Sequence, residues 1–65
     1  MTRTVDSFKF DGGMICLEKV TNKNKIIYFV CQYVKIGNVL KEIKHVKTEN
    51  LATAKNSFKE FVKGV

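Results

Sequence analysis

Sixty-five residues carrying twelve cations against six carboxylates, a net charge of +6, bound this chain to one small basic domain. A chain of that length buries only roughly 60% of the surface its unfolded form exposes, which leaves little room for the ~300–1,000 Å³ cavity that chemistry on an enclosed small molecule needs. The longest apolar run, Ile26 to Cys31, falls far short of the ~20 residues of a membrane helix.

The first segment, Thr4 to Phe10, alternates: Phe8 and Phe10 on one face, Ser7 and Lys9 on the other, the period of a strand. Asp11-Gly12-Gly13 follows as a turn, because glycine accepts positive φ without steric cost. Met14 to Val20 reads as a second strand, with Ile15 and Leu17 opposite Cys16 and Glu18. Thr21 to Lys25 is polar and reads as a loop. Ile26 to Ile36 is β-branched and aromatic throughout, the strongest strand signal in the chain. Gly37-Asn38 is a hairpin turn, and Val39 to Lys47 a fourth, weaker strand.

The period then changes. Leu51, Ala54, Phe58, Phe61, Val62 and Val65 recur at spacings of three and four, one stripe of a helix. Asn50 is placed to cap it and Gly64 to end it. The expected fold is α+β: a small antiparallel β-meander of three to four strands, with one C-terminal helix packed on one face, over residues 1–65 as a single domain.

The third strand has two apolar faces. Ile26, Tyr28, Val30, Val34 and Ile36 share one, broken by Gln32; Ile27, Phe29, Cys31 and Tyr33 share the other, ending in Lys35. A half-solvated antiparallel strand should alternate apolar and polar, and one short helix covers only one face. A two-residue Gly37-Asn38 loop pairs Ile36 with Val39, Val34 with Lys41, Gln32 with Ile43 and Val30 with His45. On the opposite face it pairs Lys35 with Leu40, Tyr33 with Glu42, Cys31 with Lys44 and Phe29 with Val46. The helix is expected on the more aliphatic first face. The second is then consumed by the N-terminal strand folding across it, or it is a docking surface of Ile27, Phe29, Tyr33, Lys35 and Leu40 for another molecule or a second copy of the chain.

Eleven of the twelve cations are lysines, Arg3 being the exception, and Lys19 to Glu49 alone carries +5 while Met1 to Glu18 carries −1. Lysine is a compact point charge suited to phosphates, without the planar fork that reads guanine edges. Lys55, Lys59 and Lys63 stand at i, i+4 and i+8, one edge of the helical stripe, and Lys41, Lys44 and Lys47 with Lys23 and Lys25 extend a candidate phosphate-tracking surface. The leading expectation is a small basic non-enzymatic binding protein that engages nucleic acid or a nucleic-acid-handling complex. The alternative is a protein-interaction module encoded by a phage or mobile element that inhibits or regulates a host protein. A short frame rich in Lys, Asn and Ile, without Pro or Trp, fits such an origin.

Catalytic and metal patterns are weak. His45 is the single histidine, and nothing in its spacing to Ser7, Ser57, Asp6 or Asp11 suggests a triad. Cys16, Cys31 and His45 lack the short paired spacing of zinc sites, and Gly12-Gly13 lacks the Gly-Lys-Ser/Thr of a phosphate loop. No cofactor, metal or small-molecule substrate is expected. With Met1 followed by no basic-then-apolar leader, the chain reads as a complete cytoplasmic protein whose two cysteines stay reduced.

From Ile26 to Val62 the order of elements resembles small nucleic-acid modules that end a sheet with a Thr/Ser-capped helix, WGR domains and plant APETALA2-type DNA-binding domains among them. Gly37, Thr48, Leu51, Ala54, Phe58 and Phe61 carry the likeness. Tyr33-Val34-Lys35-Ile36-Gly37 stands where the diagnostic Trp-Gly-Arg would be, and the arginines and tryptophans of the second family are missing. The chain is assigned to neither.

Overall fold

The computed structural model describes residues 1–65 as four strands and a helix: β1 (Thr2–Phe10), β2 (Gly13–Asn22), β3 (Lys25–Ile36), β4 (Val39–Thr48) and α1 (Leu51–Lys63). The strands form one antiparallel sheet in the order β1-β2-β3-β4, the expected α+β meander. The polar segment after β2 is shorter than its composition suggests. Asn22 already pairs with Lys25, so the loop shrinks to Lys23-Asn24, and Lys23 takes φ 55°, a conformation that costs a side-chain-bearing residue about 1–2 kcal/mol.

Helix α1 covers the predicted face. Ile15 and Leu17 of β2, Tyr28 and Val30 of β3 and Ala54 of α1 form the buried core, with Phe10, Val46, Phe58, Phe61 and Val62 packed around them. Ile15, Leu17 and Val30 are sealed, and each contributes roughly 1.5–3 kcal/mol by leaving water. Asn50 caps α1 as expected: its Oδ1 accepts the Thr53 N–H at 3.0 Å. Gly64 stops the helix in a right-handed conformation, its N–H donating to the Glu60 and Phe61 carbonyls, so its freedom at positive φ is unused.

Gly13 is more than part of a turn. It opens β2 beneath the Phe10 ring, where an added Cβ would lie 2.7 Å from Phe10 Cζ and closer still to the Tyr33 carbonyl oxygen.

Two bulges reshape the edges. β1 skips Val5 between Thr4 and Asp6, and β4 skips Ile43 between Glu42 and Lys44. The first four predicted β3–β4 pairs hold, from Ile36 with Val39 to Tyr33 with Glu42. Beyond the bulge the register moves by one: Gln32 pairs with Lys44, Cys31 with His45, Val30 with Val46 and Phe29 with Lys47. The expected Gln32–Ile43, Cys31–Lys44, Val30–His45 and Phe29–Val46 pairs are thereby corrected. The physical reason is burial: the extra residue turns Val46 onto the core face, where His45 would otherwise stand. The N-terminal strand does not fold across the second face either. It is an edge strand of the same sheet, tied at its start by mutual backbone hydrogen bonds of 2.8 and 2.9 Å between Met1 and Thr21.

Candidate functional site

Strand alternation assigns each charged side chain to one side of the sheet. On the helix side Lys19 pairs with Tyr28, Lys41 with Val34 and Lys44 with Gln32, and Arg3 stands opposite Lys19. Lys55, Lys59 and Lys63 join them from α1. The carboxylates of that side are Asp6, paired with Leu17 in the core row, and Glu60 on the helix. Only Lys63 among these cations has an acidic partner, Glu60 at 3.8 Å on an exposed pair. Such pairs are worth little, so the helix side is strongly electropositive.

α1 leaves β1 uncovered, and a cleft runs between them. One part, about 480 Å³, is lined by Val5, Asp6, Leu17, Lys55, Phe58 and Lys59. The adjoining part, about 410 Å³, adds Phe8, Val62 and Lys63. The helical lysines thus form one bank of an apolar-floored cleft that the sequence did not suggest. Lys41 and Lys44 lie on the β4 flank of the helix, where the Lys44 ammonium sits 5.3 Å from the Phe61 ring centroid.

The remaining predicted lysines are elsewhere. Lys47 pairs with Phe29 and faces the other side of the sheet. Lys23 forms the β2–β3 turn, and Lys25, at the start of β3, stands 4.0 Å from Glu49. The eight lysines therefore do not make one ridge; Lys41, Lys44, Lys55, Lys59 and Lys63 share a layer, and Lys47, Lys23 and Lys25 do not. Arg3 and Lys19 were missed as members of that layer. The period of β2 carried the signal for Lys19, two residues beyond Leu17 and four beyond Ile15 on the same face.

The opposite side of the sheet is covered by no element. Ile27, Phe29 and Tyr33 are half-buried there among their neighbours, and Lys35 and Leu40 are exposed, with Leu40 52% accessible at the hairpin tip. Pairing extends this surface beyond the predicted five. Val20 lies beside Ile27, Glu18 between Thr4 and Phe29, and Met14 between Lys9 and Tyr33.

One row of this face brings Cys16, Cys31 and His45 side by side on β2, β3 and β4. Both cysteines are free. Burial pushes the Cys16 thiol up, helped by the Glu18 charge, and burial followed by the Glu42 carboxylate pushes Cys31 up. Thiolate is the form that binds metal or attacks, and both shifts favour the thiol. No cluster of three metal-ligating side chains is assembled. His45 Nδ1 lies 3.6 Å from Glu42 Oε2, both exposed; Ser57 stands on the helix across the sheet.

No family model matches the chain, no curated protein matches it, and no solved structure matches it. No helix is long and apolar enough to cross a membrane.

Proposed function

We propose that this protein is a non-enzymatic binding module that holds a nucleic-acid backbone against its helix-side layer. The observation that carries the reading is the segregation of charge: Arg3, Lys19, Lys41, Lys44, Lys55, Lys59 and Lys63 on one side of the sheet against Asp6 and Glu60. A cationic layer of this kind attracts phosphates and releases their counterions, a sequence-independent source of affinity. With lysine as the dominant cation, contacts position the backbone and do not read base edges.

Fluorescence anisotropy with labelled duplex and single-stranded oligonucleotides tests it. Binding is expected at low salt, and the double change Lys55→Glu with Lys59→Glu is expected to abolish it while circular dichroism stays unchanged. No binding of either oligonucleotide at low salt overturns the reading and leaves an acidic protein surface as the partner for the same lysines.

A further inference from the structure

We propose that the uncovered sheet face packs against a second copy of this chain, giving a two-layer sandwich with the helices outside. Three observations point to self-association and to this face.

The face is apolar at its centre, where Met14, Val20, Ile27, Phe29 and Tyr33 are half-buried without any element above them. A contiguous apolar surface of this kind, rimmed by charges, marks an interaction site.

Its charges are self-complementary. Lys9 and Glu42 sit at opposite ends of one row, on β1 and β4, and Lys47 sits on β4 in the row of Phe29. Stacked sheets lie about 10 Å apart with strands nearly aligned. A two-fold axis along the strands lays β4 of one copy over β1 of the other and sets Glu42 against Lys9. A two-fold axis across the strands sets Glu42 against Lys47 instead. Either arrangement gives Glu42 a cation from the second copy, and the symmetry makes each pair twice.

This face is also where two chains of net charge +6 repel least. It carries Lys9, Lys25, Lys35 and Lys47 against Glu18 and Glu42, with Glu49 standing 4.0 Å from Lys25, whereas the helix side is more strongly cationic. Edge-to-edge pairing is blunted: both edge strands carry a bulge, and β4 bears Lys41, Lys44 and Lys47, devices that discourage strand addition. The sandwich leaves both lysine layers free, so it stands whether or not they bind nucleic acid.

Sedimentation velocity at micromolar concentration is expected to show a dimer. Phe29→Lys should give a monomer with an unchanged circular dichroism spectrum. Because Phe29 is partly packed, the decisive variant is Glu42→Lys at an exposed position, expected to weaken the dimer at least about tenfold by opposing like charges. Adding Lys9→Glu to Glu42→Lys should restore the dimer if the axis runs along the strands; adding Lys47→Glu should restore it if the axis runs across them. A wild-type chain that stays monomeric, or a dimer that Glu42→Lys leaves intact, overturns the proposal.

Discussion

Lys44 and Phe61 meet because β4 carries one residue too many. The bulge at Ile43 turns Lys44 onto the helix side, opposite Gln32, and its ammonium lies 5.3 Å from the Phe61 ring centroid. The lysine therefore anchors the end of α1 as well as adding charge. Lys44→Ala is expected to lower the unfolding free energy by about 0.5–1 kcal/mol, the range of an exposed cation–π contact. Lys41→Ala, on the same flank without a ring beneath it, should stay within about 0.5 kcal/mol of wild type. Urea melts of the two variants separate them; equal losses would show that the ring contact contributes nothing.

Beneath that lysine, Gln32 is 6% exposed and its Oε1 has no hydrogen-bond partner. An unpaired buried acceptor costs about 1–3 kcal/mol. Gln32→Leu keeps the volume and removes the amide, so it should raise stability by roughly 1 kcal/mol. A destabilised variant in thermal unfolding would mean that the amide is engaged in solution.

Gly13 tolerates no side chain. Gly13→Ala must displace the Phe10 ring and the Tyr33 carbonyl, parts of the β1–β2 and β2–β3 pairings. A loss of roughly 1–3 kcal/mol is expected, the cost of overpacking. Gly12→Ala meets no atom nearby and is strained only by its φ of 92°. Comparison of the two melts checks whether space or backbone conformation governs this turn.

Stability should fall at alkaline pH. Burial raises the pKa of Cys16 and Cys31 above the ordinary 9.0, with Glu18 and Glu42 adding to it, and burial then Cys31 raises that of Tyr33 above 10.0. A group whose pKa is raised by folding stabilises fully below its unfolded value and loses that contribution as pH climbs through the folded one. The window therefore opens at pH 9.0, and slow alkylation of both thiols below it is expected. A denaturation midpoint that does not change above that pH would contradict the shifts.

Nucleic-acid affinity should decline with salt in proportion to the phosphates engaged, with a log–log slope of about −0.9 per phosphate on duplex and about −0.7 on single strands. Lys59→Ala and Lys63→Ala should each flatten the slope, while Lys23→Ala, in the β2–β3 turn, should leave it unchanged. An equal effect of all three would mean that net charge alone drives binding.

The amino-acid order alone determined the four strands, the helix with its Asn50 cap, and which face of β3 the helix covers, because alternation, turn residues and a three-four stripe are local signals. It also exposed the surplus of apolar residues on the second face, since one helix cannot cover two sides. Tertiary packing decided the rest. The β4 bulge followed from seating Val46 rather than His45 against the core, and it moved Lys44 to the helix side and Lys47 away from it. A single inserted residue reverses every later side chain in a strand. Its position depends on contacts with the helix that lie far away in sequence.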